Sequence, residues 1–208
     1  MKNIIIFDAD GVVVKREIYF NSRLERDYGI PAEETAPFFK NEYKLCAVGK
    51  ADLEEELEKH IDAWGWKGTM DELIKYWFES ERELDEEIVQ EIKSLQELGY
   101  MCCLATNNEA YRTKYLVQEV GLGKVFDKTF SSSQLGYLKS QKRFWEELSE
   151  RLEGVKRNEV LVWDNDEENI KAAKEFGFTA RRYRGYDDFR TEMQKLFPQI
   201  SFIQPLKK

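Results

Sequence analysis

The stretch Asn3-Ile4-Ile5-Ile6-Phe7-Asp8-Ala9-Asp10-Gly11-Val12 decides how the rest of the chain is understood. Large apolar residues in succession, without alternation, describe a short strand covered on both faces, as in a parallel sheet flanked by helices. The run stops abruptly at two carboxylates, Asp8 and Asp10, followed by Gly11. Acidic side chains therefore stand at the carboxyl end of a buried strand, the rim at which open α/β sheets bind their ligands.

Working outward, the next comparable strand is Tyr100-Met101-Cys102-Cys103-Leu104-Ala105. A helix is predicted over 85–98 ahead of it, because Ile88, Ile92, Leu95 and Leu98 share one face and Gly99 supplies a stop. Helices are then expected over 109–119, 141–152, 167–176 and 187–196, and strands over 128–131, 159–163 and 179–183. Residues 200–203 are expected to add an edge strand. This alternation predicts an α/β fold with a doubly wound, mainly parallel, Rossmann-like sheet.

The segment from about 15 to 84 breaks the rhythm and is far too long for an ordinary βα loop. It has helical patterns of its own: Leu53, Leu57, Ile61 and Trp64 mark one apolar face, Leu73 and Trp77 another, and Pro31, Gly49 and Gly68 punctuate it. We read it as an inserted all-helical cap. The expected division is a core of residues 1–15 and 84–208 and a cap of residues 16–83.

The 208 residues suffice for one buried core plus such an insertion, and 42% hydrophobic with 35% charged residues fits a folded globular chain. A net charge of −8 without a Lys/Arg cluster argues against nucleic acid or an anionic membrane as partner. A strand beginning at Asn3 leaves no room for a signal peptide, and no apolar run reaches membrane-spanning length. Cys46, Cys102 and Cys103 have neither metal-ligand spacing nor a disulfide framework, so the cytoplasm is the expected location. His60 is expected at the boundary of a cap helix, and the cap aromatics, among them Tyr19, Phe20, Trp66 and Trp77, are expected mostly in its core.

Residues beyond each strand end test the rim for chemistry. Asp8 and Asp10 follow the first, Thr106, Asn107 and Asn108 the second, and Asp164, Asn165 and Asp166 the fourth, with Lys139 ahead of a helix. Carboxylates, a hydroxyl and an ammonium group at one rim suit a metal ion plus a phosphate.

Four stretches together resemble the ordered motifs of haloacid dehalogenase-like (HAD) superfamily hydrolases. Phe7 to Val12 is similar to the first motif, and Leu104-Ala105-Thr106-Asn107 to the second. Gly136-Tyr137-Leu138-Lys139 with Phe144 is similar to the third, with Ser140 where a proline is common; the run from Val160 to Asn169 is similar to the fourth. The helical insertion between the first two motifs matches the subgroup that includes phosphoglycolate phosphatase and β-phosphoglucomutase, and Glu109-Ala110-Tyr111-Arg112 is similar to sugar-phosphate phosphatases of the same subgroup.

The resemblance implies a Mg²⁺-dependent phosphatase acting on a small phosphate monoester, such as a sugar phosphate or similar metabolite. Asp8 is then the nucleophile, passing through an aspartyl-phosphate, and Asp10 the proton carrier to and from the leaving oxygen. Thr106, Asn107, Lys139 and the backbone N–H groups near Gly11 are expected around the phosphate, and Asp8, Asp10, Asp164 and Asn165 around the metal. Asn165 stands where relatives carry an acid, and an amide oxygen brings no charge to Mg²⁺. Two alternatives share the scaffold: a phosphomutase, or a catalytically weak binding or regulatory protein. Asp10 argues against a dehalogenase, which lacks a second carboxylate there.

Overall fold

The computed structural model describes residues 4–16 and 18–198. Asn3 and the expected edge strand over 200–203 lie outside the described residues. β1 (Ile4–Phe7) is followed by five helices: α1 (Phe20–Tyr28), α2 (Ala32–Lys40), α3 (Glu42–Ala47), α4 (Leu53–Ile61) and α5 (Met70–Ser80). Then come α6 (Glu86–Glu97), β2 (Met101–Thr106), α7 (Ala110–Gln118), β3 (Lys128–Ser131), α8 (Ser132–Leu135) and α9 (Lys142–Arg151). β4 (Val160–Asp164), α10 (Glu167–Phe176), β5 (Thr179–Arg182) and α11 (Tyr186–Leu196) complete the described chain.

All pairings are parallel, in the order β3-β2-β1-β4-β5. Along β1, Ile5 and Phe7 pack on one face with Leu104, Ile88 and Phe189, whereas Ile4 and Ile6 pack on the other with Ala105, Trp145 and Val162. A strand covered twice has no polar side to present, which is why its sequence does not alternate. The chain leaves β1 toward β2 and β3 and then returns past β1 to β4. The strand order reverses beside β1, the place where such sheets form a crevice.

The helices are held at positions chosen by their sequences. Asp52, Asp85 and Asp166 cap α4, α6 and α10 through side-chain oxygens, and Thr69 with Glu72 forms a capping box on α5. The helix expected over 109–119 begins one residue later because Glu109 is itself the cap, accepting the N–H groups of Tyr111 and Arg112. The one-turn helix α8 is absent from the sequence reading; four residues show no periodicity.

α1 to α5 build a second apolar cluster from Phe20, Leu24, Phe38, Leu57, Leu73 and Trp77 among others. His60 packs between Phe38 and Trp64, at ring-centroid distances of 5.6 and 5.7 Å. The two chain crossings at the edge of this insertion pair with each other: Lys15 N–H donates to Glu83 O at 2.8 Å and Asp85 N–H to Val13 O at 2.9 Å. No helix among the described residues is long and apolar enough to cross a membrane.

Candidate active site

Asp8 and Asp10 sit on the turn that leaves β1. Asp8 N–H donates to Trp163 O on β4 at 2.9 Å, which keeps Asp8 level with the end of that strand. The next residues curl tightly, with the N–H groups of Val13 and Val14 both directed at Ala9 O, and Gly11 adopts φ +84°. That region costs little only for glycine.

A cavity of about 480 Å³ opens here, lined by Asp8, Asp10, Gly11, Thr106, Asn107, Lys139 and Asn165 among others. Seven of the eight expected residues thus line one cavity. Asp164 lies just behind, 1 % exposed. Its Oδ1 accepts Asp166 N–H at 2.9 Å, and Asn169 Nδ2 reaches both its oxygens at 3.1 and 3.2 Å.

Lys139 reaches the site from the loop between α8 and α9. That loop is pinned by Lys139 N–H donating to Asn107 Oδ1 at 2.9 Å and Trp145 Nε1 donating to Lys139 O at 2.7 Å. Its ammonium pairs with Asp8, lies 2.8 Å from Asp164 Oδ2 and donates to Ala105 O at 3.2 Å. Burial opposes the charge on Lys139, but the two carboxylates outweigh it and raise its pKa. Burial, then the nearby Asp164 charge, push Asp8 up to about 7 even with Lys139 pulling the other way.

Asp10 is held differently. Its Oδ1 accepts from Arg112 Nη2 at 3.2 Å and lies 3.1 Å from Arg16 Nη2, while Oδ2 accepts from Asn108 Nδ2 at 2.7 Å. Burial alone would raise it; the two guanidinium groups and these hydrogen bonds win and hold it at about 2. Asn108 Nδ2 also donates to Thr106 Oγ1 at 2.7 Å, so one amide joins Asp10 to Thr106.

Gly11 takes a part other than the expected one. Its N–H is already given to Val14 O at 2.7 Å, so it has no free donor for a phosphate. Its contribution is a missing side chain: a Cβ there would fall 2.2 Å from Asn165 Nδ2. Asn107, expected against the transferring group, also braces the Lys139 loop. The sequence reading assigned no role to Arg16, Tyr43, Asn108, Arg112, Asn169 or Arg182. Asn108 was noted only among the polar residues after the second strand, and Arg112 and Asn169 lay inside quoted stretches without a role; the others arrive from the insertion and the end of β5.

The oxygen donors here suit a hard cation. Asp8 faces the cavity, and the Asn165 amide lies 3.4 Å from the Asp10 main-chain carbonyl. Among the described residues no group of three or more His, Cys, Asp or Glu side chains is arranged to hold a metal. The fit to Mg²⁺ thus relies on carbonyl and amide oxygens beside Asp8. A cation there would offset the negative charge of Asp8 and Asp164, which share one ammonium group.

The haloacid dehalogenase-like hydrolase family profile matches residues 2–177, and the chain belongs to that family. It is a HAD-like hydrolase. No curated protein sequence matches it. Among solved structures, a HAD family enzyme from Bacteroides thetaiotaomicron superposes with a TM-score of 0.79 at 17% identity, covering 93% of this chain and 98% of that one. The same enzyme in complex with magnesium and inorganic phosphate gives 0.75 at 16% identity, covering 88% and 94%. L-2-haloacid dehalogenase from Xanthobacter autotrophicus gives 0.65 at 20% identity, covering 94% and 83%. At these identities the likeness is one of fold.

Proposed function

We propose that this hydrolase is a Mg²⁺-dependent phosphatase that cleaves small phosphate monoesters through an aspartyl-phosphate on Asp8. The observation that carries the reading is Asp8 itself, a buried carboxylate at a strand tip, paired with buried Lys139 and facing a polar cavity. The magnesium and phosphate bound by the Bacteroides enzyme of the same fold support it.

In this reading Asp8 attacks phosphorus while Lys139 and Thr106 neutralise and orient the equatorial oxygens. Asp10 delivers a proton to the departing alkoxide oxygen and later takes one from the attacking water. Asp10 is the ionised member of the pair and Asp8 the raised one, opposite to these roles. Asp8, the Asp10 carbonyl and Asn165 would hold Mg²⁺, with Asp164 contributing charge from behind, and the ion would supply positive charge that favours the ionised form of Asp8. The substrate dianion beside Asp10 raises that group toward holding a proton.

The helices of residues 16–83 are proposed as a cap that selects the substrate, since Arg16, Tyr19 and Tyr43 from this segment line the cavity. A small phosphorylated metabolite fits a cavity of this volume. Free, buried Cys46, Cys102 and Cys103 accord with a reducing compartment, and the cytoplasm is the proposed location.

The test is phosphate release from a panel of phosphorylated metabolites with Mg²⁺ present, wild type beside Asp8→Asn. Turnover of at least one ester, lost in the variant, is expected. Equal release by a folded Asp8→Asn protein refutes the nucleophile, and an isomeric phosphate ester in place of free phosphate makes the enzyme a mutase.

A further inference from the structure

Arg112 is among the largest wholly buried side chains of the protein, 1 % exposed, and it does not line the cavity. Its guanidinium lies beside the rings of Phe78 and Tyr115, 5.5 and 6.0 Å from their centroids. From α7 it donates in two directions. One Nη2 bond goes to Asp10 Oδ1 at 3.2 Å; Nη1 donates to Phe78 O at 3.1 Å, and Nη2 also to Glu81 O. Phe78 and Glu81 belong to the end of α5, where the insertion returns to the core.

Glu81 is tied into the insertion in turn. Its carboxylate accepts Phe20 N–H at 3.0 Å and Trp77 Nε1 at 3.3 Å, and lies 3.6 Å from Arg16 Nη2. The other oxygen of Asp10 has a parallel route: Asn108, which donates to Oδ2, accepts from Tyr43 of α3 at 3.4 Å. Among the described residues, Asp8 has no hydrogen bond or ion pair to the insertion. Its buried partner Lys139 is fixed by Asn107, Trp145 and Ala105, all outside the insertion. The nucleophile is registered to the sheet, and the proton carrier to the helices above it.

A buried guanidinium is a costly way to join two helices, since apolar side chains fill such space without desolvating a charge. What an apolar side chain cannot do is hold a carboxylate and two carbonyls from one planar fork. We infer that Arg112 is a positioning residue that makes the placement of the Asp10 carboxylate depend on how the end of α5 is seated on the core. The inference rests on the phosphatase reading above, in which Asp10 protonates the leaving oxygen. A displaced α5 then leaves Asp8 able to attack but the leaving group without its proton.

The measurement compares Arg112→Lys and Arg112→Gln with wild type on an alkyl phosphate and on p-nitrophenyl phosphate, whose leaving group needs little protonation. Positioned acid–base catalysis contributes about 10²–10⁴-fold. The expected result is a kcat on the alkyl ester reduced by about tenfold or more, with KM changed by less than about threefold and the aryl ester nearly unaffected. In an Asp10→Asn background either substitution should add no further loss on the alkyl ester. Equal losses on both esters, a loss confined to KM, or losses that multiply with Asp10→Asn overturn the positioning role. So does failure of both variants to fold, which would make Arg112 a structural strut. Absence of phosphate release by wild type on either ester or the metabolite panel counts against the phosphatase reading instead, and is told apart by that control.

Discussion

Lys139 Nζ lies 2.8 Å from Asp164 Oδ2, and each side chain is 1 % exposed. The same ammonium pairs with Asp8, so one buried cation serves two buried carboxylates. Removing one partner of such a group leaves uncompensated charge out of water, at a cost of about 3–5 kcal/mol. Lys139→Met is expected to lose that much stability and all phosphate release. Because a cation beside Asp8 partly replaces the ammonium, millimolar Mg²⁺ should raise the melting temperature of the variant more than that of wild type. Thermal melts with and without Mg²⁺ check this; equal shifts would remove the metal from the neighbourhood of Asp8.

Asn165 gives a second handle on the same charge balance. Asn165→Asp adds an anion beside the Asp10 carbonyl and should lower the Mg²⁺ concentration for half-maximal phosphate release, leaving the ranking of substrates unchanged. Magnesium titrations read this directly, and an unaltered midpoint would take Asn165 out of the metal site.

Gly11→Ala tests the neighbour of that amide. The backbone there has φ +84°, which costs a non-glycine residue about 1–2 kcal/mol, and the new methyl collides with the Asn165 side chain. The variant should be less stable by about that amount in denaturant titration. It should also need more Mg²⁺ than wild type, because Asn165 has to swing away.

Glu109 predicts a pH effect on stability. Burial, opposed by the N–H groups of Arg112 and Tyr111, pushes its carboxyl from 4.5 up to about 7. A raised acid favours the folded state while protonated, so its contribution is complete below about 4.5 and is lost as pH rises through about 7. Relative to Glu109→Gln, wild type should therefore lose on the order of 3 kcal/mol between pH 4 and pH 8. Urea unfolding at the two values measures it, and a gap that does not change with pH contradicts the assignment.

The sheet was legible because burial on both faces writes itself into β1 and β4 as unbroken apolar runs, and because each strand ends in a chemically distinct residue. Lys139 was legible only through the ordered motifs; its loop has no periodicity of its own. Arg16 and Arg112 were not. Arg16 lies at the start of the insertion and Arg112 only within the stretch 109–112 noted for its resemblance, and neither spacing announces that both side chains reach Asp10. Tyr43 escaped for the same reason, since whether a cap aromatic faces core or cavity depends on helix packing that sequence spacing does not encode. That the Gly11 N–H itself is taken by Val14 O was not legible, because the turn closes on itself through a hydrogen bond that no residue pattern announces.

The pairing of Lys15 with Glu83 and of Val13 with Asp85 has an evolutionary consequence. The inserted helices depart and rejoin side by side, so to the sheet the whole excursion is equivalent to a hairpin. Closing a longer loop between fixed ends grows costlier only slowly, by about 0.6 kcal/mol for each doubling of length. Excursions of very different size and shape are then nearly interchangeable at that gate. One set of helices can then be exchanged for another while the strand register beneath stays untouched.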